Sequence, residues 1–426
     1  MKRRLFNLSH SVTTYGKIGQ IIPVELVEVI PGDTFQGRSG MLVRFQGTKK
    51  PVLTNFRAEM FRFYVPFRLI WDGFESFITK RTGSVPMYTV EKSTADFSKG
   101  QVSDEVVEQM LMGIMNTGQT VSQLPFLAFK AIYDEFFRDE DASEFDLGDW
   151  CTSQAPLVQA GHRHTYVTNI RAAQAQGDYP EISAPVSSGT AKFTVEKVRD
   201  AMRLMRLQER REMFGDRYFD VLRSYGVRAN FELLEKPEVL GRSGHLVSFT
   251  DVVATGQSTS VSLGEIAGHA IAGWHHNNRR KAFREHGLIM SLLVIRPRAV
   301  FGMYGAPIRW KEDYSDFWAP EFDVQTPRGF SGYLRPGSSP IGYFPQYEEY
   351  RGMSDILNLG PSSTYRSYFA NSGSADSGTP ETLDSLREAK SSDFDDLFLS
   401  SSDPHCFVQA HHRLRAYRLL SRRERI

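Results

Sequence analysis

Residues 21–35 read IIPVELVEVIPGDTF and residues 61–77 read FRFYVPFRLIWDGFESF, with a basic loop between them. Phe61, Phe63 and Val65 fall on one side of an extended chain and Arg62 and Tyr64 on the other. That is the period-2 signature of a half-buried antiparallel strand. Pro66 ends the strand, because proline has no N–H to donate to a neighbouring strand. In Pro31-Gly32-Asp33 the proline presets φ and the glycine accepts positive φ, so the chain reverses after Val29-Ile30. The stretch therefore runs as alternating strand, turn, aromatic strand, and a helix opening at Trp71-Asp72.

Composition sets the outer limits. The chain has 426 residues, 41% of them hydrophobic, which is ample for a core. Its length allows two or three average domains, but large antiparallel sandwiches often run as one domain with long insertions. No apolar run approaches the roughly 18 residues that span a bilayer, and the opening MKRRLFNLSH has basic residues without a signal-peptide apolar core. The expectation is a soluble protein that stays where it is made. Cys151 and Cys406 lie far apart without C-x-x-C partners, which argues against a disulfide framework or structural zinc and suits a reducing cytoplasm.

The net charge is only +1, yet it is unevenly placed. Lys2, Arg3, Arg4 and Lys17 give residues 1–20 a net +4, residues 134–149 carry eight acids against one arginine, and residues 405–426 carry six arginines against Glu424. Two basic ends flank an acidic middle, a polarity useful to a wall that faces phosphate on one side and solvent on the other.

Further along, residues 83–103 read as turn-rich and 104–136 as one or two short helices. Residues 151–191 form a long polar connection of the kind that is usually functional or exposed. Val195, Val198, Met202 and Met205, then Phe214, Tyr218, Val221 and Tyr225, repeat at helical spacing until Gly226, with a break near Gly215; these stripes are taken as core. Residues 286–296 are apolar on both faces, which predicts a strand central in a sandwich. Residues 328–345 and 361–380, rich in Gly, Pro and Ser, read as long loops. Phe407 to Leu419 is an extended strand with Val408, Ala410, Leu414 and Ala416 on the core face and Gln409, His411, Arg413, Arg415 and Tyr417 opposite. No internal repeat is visible.

Taken in order, these segments resemble the major capsid protein (F protein) of the Microviridae, the small icosahedral single-stranded DNA phages, on the gokushovirus-like side of that family. The likeness rests on the opening segment, Asn7 to His10, the LQERREMFGDRYFDVLRSYGV of 207–227, and Lys236-Pro237-Glu238 with Leu240-Gly241. It continues through Glu285-His286-Gly287, the YEEYR of 347–351 and Tyr417-Arg418. The resemblance implies a mainly β fold. Its frame would be an eight-stranded viral jelly roll, an antiparallel sandwich formed by residues 1–426 as a single domain with long helix-containing insertions at about 83–191, 194–285 and 300–400. It also implies assembly through pentamers into a T=1 icosahedral shell around circular single-stranded DNA, in the virion, after assembly in the host cytoplasm. The implied partners are other copies of the chain, the DNA, a small basic DNA-packaging protein, a pilot protein, a scaffolding protein and a host surface receptor. The chain departs from the gokushoviruses in leaving too little length for their full threefold protrusion, so any protrusion should be small or supplied by another protein.

No catalytic constellation stands out. His162 and His164, His275-His276 and His411-His412 lack a third ligand at diagnostic spacing, and solvated or hydrogen-bonded histidine is the plainer reading. Asp393, Asp395 and Asp396 lack the glycine and closing glutamate of a calcium loop, and no phosphate-binding glycine loop or nucleophile elbow occurs. No cofactor is expected. The basic residues are the better candidates: Arg3 and Arg4, then Arg279, Arg280, Lys281 and Arg284, then Arg413, Arg415, Arg418, Arg422 and Arg423 with Arg425 beside them. Lysine and arginine neutralise phosphates, and Tyr417 and His411 could stack on bases. The plain alternative is a solubilising surface or salt bridges between subunits. The rival function is a cupin-like jelly-roll enzyme or sugar-binding protein whose histidines hold a metal.

Overall fold

The computed structural model describes residues 3–80, 83–92, 100–138, 145–152, 236–253, 255–256, 266–298, 306–320, 328–330, 342–344, 347–353, 394–395, 397–400 and 403–420, with single positions at 199, 202, 203, 206 and 264. Its first strands are β1 (Arg4–Asn7), β2 (His10–Gly16), β3 (Ile21–Val29), β4 (Thr34–Phe45), β5 (Phe56–Pro66), β6 (Met87–Glu91), β7 (Gln101–Ser103) and β8 (Thr120–Ser122). They are followed by β9 (Glu238–Val247), β10 (Thr250–Val253), β11 (Ile266–His269), β12 (Ile271–Ala282), β13 (Gly287–Pro297), β14 (Arg328–Phe330), β15 (Gly342–Phe344) and β16 (Cys406–Arg418). The helices are α1 (Phe67–Ile70), α2 (Phe74–Lys80), α3 (Asp104–Gln109), α4 (Leu124–Phe136) and α5 (Leu147–Thr152).

Two four-position antiparallel sheets carry the architecture. The first runs β1/β2, β16, β4, β12, with β1 and β2 pairing to successive halves of β16; the second runs β3, β13, β5, β9. If the split β1/β2 counts as one strand, chain order places the first, eighth, third and sixth strands in one sheet and the second, seventh, fourth and fifth in the other. That order is the jelly roll.

The inward faces of the two sheets enclose an apolar cluster around Ile22, Val43, Phe56, Met60, Leu293, Ile295 and Val408, and a smaller one around Val29, Phe35, Tyr64, Ile289 and Ala416. The other face of the second sheet is covered as well. Phe63, Val65, Met290, Leu292 and Val294 pack under Phe126, Phe129 and Ile132 of α4. Helices α3, α4 and α5 thus form a layer over the second sheet. No described element covers the corresponding face of the first.

The expected turn is present: Gly32 has φ of 85°, and Asp33 N–H donates to the Ile30 carbonyl at 3.0 Å. The doubly apolar strand is β13, central between β3 and β5. Strand β16 alternates as read, with Val408, Ala410, Leu414 and Ala416 buried. Short helices α3 and α4 fall within 104–136.

Several expectations need correction. Strand β5 is buried on both faces, because helices cover Phe61, Phe63 and Val65 while Arg62 and Tyr64 point into the sandwich. Two short helices stand where one was expected: α1 opens earlier, at Phe67, where Pro66 holds a φ of −65°, and ends at Trp71, while α2 opens at Phe74, whose N–H donates to the Trp71 carbonyl at 3.0 Å. The supposed insertion at 194–285 ends sooner, since β9 and β12 are frame strands of the two sheets. Within 328–345, β14 and β15 pair into a small hairpin rather than plain loop. Met202 is helical but 57% exposed, so it is not core in this chain alone. The first two residues of the 151–191 connection end α5, with Cys151 buried, and the remainder of it, the rest of the 195–225 stripe and the 361–380 loop lie outside the described residues.

Candidate nucleic-acid interface

Strands β1, β2, β4, β12 and β16 contain no aspartate or glutamate and carry Arg4, Arg38, Arg44, Arg279, Arg280, Lys281, Arg413, Arg415 and Arg418. Strand alternation sends alternate side chains to the uncovered face. There β16 presents Phe407, Gln409, His411, Arg413 and Arg415, and β4 presents Gln36, Arg38, Leu42 and Arg44. Strand β12 adds Ile271, Gly273, His275 and Asn277. Register aligns them in rows: Ser11, His411, Gly40 and His275 lie side by side, and Arg413 stands directly opposite Arg38.

The candidate basic residues separate by surroundings. Arg413 and Arg415 lie exposed on this face, together with Arg38 and Arg44, which the sequence reading did not single out. Arg279 and Arg280 occupy the bulge between Asn278 and Lys281, and Arg280 stacks over Tyr417 with its guanidinium carbon 5.6 Å from the ring centre. Lys281 instead pairs with Glu238 of β9 at 2.5 Å, tying the two sheets together. Arg284 is exposed just beyond β12. Arg3 reaches Thr34 Oγ1 at 3.5 Å, and Arg4 is exposed at the sheet edge opposite Arg418.

Arg418 departs from the expected role. Its Nε lies 3.0 Å from Asp33 Oδ2, an Nη2 hydrogen bond runs to the Glu28 carbonyl at 2.8 Å, and the guanidinium sits over Phe35. It closes the end of the sandwich. Arg422 and Arg423 lie outside the described residues.

The histidine doublets cannot act as paired ligands, because adjacent strand residues point to opposite faces. His411 is exposed and bonded to Ser11 Oγ at 2.6 Å, whereas His412 is buried. Burial lowers the His412 pKa; Nδ1 bonds Ser39 Oγ at 3.0 Å and Nε2 donates to the Val24 carbonyl at 2.9 Å. His276 is likewise lowered by burial, while His275 lies on the open face. Asp395 holds Lys17 at 2.9 Å and His405 at 2.8 Å, an internal brace rather than a calcium loop. His162, His164, Asp393 and Asp396 lie outside the described residues. Among the described residues, no three His, Cys, Asp or Glu side chains converge as a metal site.

A lattice of arginines, imidazoles and amides without a carboxylate can attract a polyanion and stack on planar groups.

The comparisons with known proteins agree with this architecture. The family described as "Capsid protein (F protein)" matches residues 1–170 and 149–421. Capsid protein F of Escherichia phage G4 is 24% identical over 291 residues, which is 68% of this chain and 65% of that protein, just under two thirds of its length. Capsid protein VP1 of Bdellovibrio phage phiMH2K is 23% identical over 82% of this chain and 80% of its own. Capsid protein VP1 of Chlamydia phage 1 is 28% identical over 37% of this chain and 28% of its own. With a jelly-roll strand order and a family match running from residue 1 to residue 421, the chain belongs to the F-protein family of Microviridae major capsid proteins.

Proposed function

We propose that copies of this chain assemble through pentamers into a T=1 icosahedral shell around circular single-stranded DNA, with the uncovered face of the first sheet turned toward the genome. The observation that carries this reading is the asymmetry of the sandwich. One sheet is buried under a helical layer, and the other, covered by none of the described elements, has arginines and no acid in any of its strands.

The mechanism is mass assembly with charge compensation. Each arginine that meets a phosphate releases condensed counterions, so binding is independent of sequence and weakens as salt rises. Arg3, Arg4, Arg279, Arg280 and Arg284 at the margins of the sheet, with Arg422 and Arg423 in the tail, extend the same field. Segments 151–191 and 328–380 are candidates for subunit contacts, since a closed shell needs several different contacts per subunit. A packaging protein, a pilot protein, a scaffolding protein and a host receptor complete the expected partners, and assembly takes place in the host cytoplasm. The protein carries no catalysis in this reading, and any threefold protrusion is small.

The test replaces Arg413, Arg415, Arg422 and Arg423 with glutamine in virions. The expected result is an intact fold with less packaged DNA, or particles that lose DNA at lower salt. Full packaging with unchanged salt sensitivity would move these arginines to the outer surface or to subunit contacts. Sedimentation should show pentamers or complete shells, and a stable monomer with the partner proteins present would overturn the assembly reading.

A further inference from the structure

A cavity of about 760 Å³ opens on the bare face of the first sheet. That is within the roughly 300–1,000 Å³ of small-molecule sites and far more than a lone phosphate requires. The depression exists because Gly40 and Gly273 put no side chains on this face. A Cβ at Gly40 would stand 3.0 Å from Nδ1 of His275, so the glycine lets that imidazole lie against the strand. On the opposite side His411 is held by Ser11 Oγ at 2.6 Å.

One margin of the cavity is formed by Arg38 and Arg413, direct cross-strand neighbours. Like charges placed directly opposite each other weaken strand pairing. Among the described residues neither arginine forms an ion pair, and no carboxylate lines the cavity. An anion seated between the two guanidiniums converts this repulsion into two charge-assisted contacts.

We propose that this cavity is a nucleotide site for single-stranded DNA, with a backbone phosphate between Arg38 and Arg413 and one base resting over Gly40 and Gly273 beside His275 and His411. The proposal rests on the DNA-facing orientation of the first sheet and adds to it a discrete seat, so that the strand is anchored at a repeated point on every subunit. Any base fits such a seat, because imidazole faces stack without reading hydrogen-bond edges.

Gly273 provides the test. A Cβ there would meet Leu42 Cδ1 at 3.6 Å and the Met41 carbonyl at 3.7 Å, both ordinary contacts, so Gly273→Val fills the cavity and leaves charge and strand intact. Binding of a fluorescent oligothymidylate and of inorganic polyphosphate to the purified full-length protein would be measured across a salt series. Gly273→Val should weaken oligothymidylate about tenfold, the order of one lost stacked base, and leave polyphosphate unchanged. Arg38→Gln should weaken both and reduce the salt slope by roughly one phosphate contact. Should Gly273→Val misfold, His275→Ala serves the same purpose from an exposed position. If oligothymidylate binds the filled cavity or His275→Ala as tightly as the parent, the nucleotide seat is overturned while the DNA-facing sheet stands. If neither Arg38→Gln nor Arg413→Gln changes either ligand, the orientation of the sheet fails too.

Discussion

Arg62 reaches across Ser291 to hold Glu25 at two points, Nε to Oε2 at 2.8 Å and Nη2 to Oε1 at 2.7 Å. The three residues form one direct row over β5, β13 and β3, and the small serine leaves room for the guanidinium to pass while its hydroxyl donates to the same carboxylate. Register shifts sit beside this row, at Ser291/Leu292 in the β13–β3 pairing and at Arg62/Phe63 in the β5–β9 pairing. From the facing sheet, His412 approaches Glu25 to 3.9 Å, and Ser39 accepts a bond from Asn278 at 3.2 Å. A polar belt therefore crosses the sandwich between its two apolar clusters and fixes how β3, β13 and β5 align.

A buried pair of this kind is costly to half-remove. Arg62→Met leaves the Glu25 carboxylate without its partner in the interior and should cost about 3–5 kcal/mol. The double change Glu25→Met with Arg62→Met should recover much of that loss. Urea denaturation of the isolated subunit measures all three, and a double variant no better than Arg62→Met would show that the belt stabilises through packing rather than charge.

Acid should destabilise the subunit in two stages. Burial holds the His405 pKa down at about 4 despite Asp395, and burial also lowers His412, so the unfolded chain takes up protons below about pH 6.5 that the folded state refuses. Stability is then full above that pH and falls as pH drops, for His405 by roughly 1.4 kcal/mol per unit until about pH 4, with His412 adding a loss of the same sign. Burial by itself would raise the Glu25 pKa, but Arg62, His412 and Ser291 outweigh it and keep it below the usual carboxylate value, adding a second loss at still lower pH. Urea midpoints against pH should show His405→Gln with a shallower decline between pH 6.5 and 4. An unchanged slope would remove His405 from the account.

Glycines on the first sheet divide into tolerant and intolerant positions. A Cβ at Gly37 would fall 2.2 Å from the Arg413 carbonyl oxygen, inside the β4–β16 pairing. Gly37→Ala should force these central strands apart and abolish assembled particles. Gly273→Ala meets nothing closer than 3.6 Å and should assemble normally. Equal particle yields from the two variants would contradict this geometry.

The frame was legible where period and burial agree. Alternation in Phe407–Leu419 and the doubly apolar 286–296 marked two strands that prove to be the eighth and seventh of the jelly roll, since only a strand between two layers is apolar on both sides. Strand β12 was not legible. Its outward side is polar and its sequence IAGWHHNNRRKA reads as a basic cluster, so Arg279 and Lys281 were grouped although one sits in a bulge and the other pairs with Glu238. Arg62 and Glu25 followed strand alternation like solvent-facing residues, and only the distant pairing of β3 with β13 shows that they meet. Arg38 and Arg44 were missed because a strand such as TFQGRSGMLVRF shows which residues share a face, not whether another layer covers it. The absence of acids from all five strands of that sheet was readable and is the signal that would have found them.

The last prediction concerns the contacts that build the shell. Strands β10 and β11 form a two-stranded sheet on which Val252, Val253 and Ile266 are 50%, 56% and 43% exposed. Leu246, Ile271 and Phe407, at the adjoining ends of β9, β12 and β16, are each more than half exposed. Thr48 bridges this pair to the frame at Gly268, but a two-stranded sheet is marginal in water and gains stability from a surface that covers it. In a capsid protein the available surface is another subunit, and apolar residues that none of the described residues covers mark such a contact. Replacing Val253 and Ile266 with serine should therefore leave the subunit's melting temperature within a few degrees of the parent, because neither side chain belongs to a core cluster. Shell yield should fall severalfold, with smaller assemblies accumulating on a sedimentation gradient. Normal shells from this double variant would place the subunit contacts elsewhere, and a collapse in melting temperature would show that the hairpin stabilises its own sandwich instead.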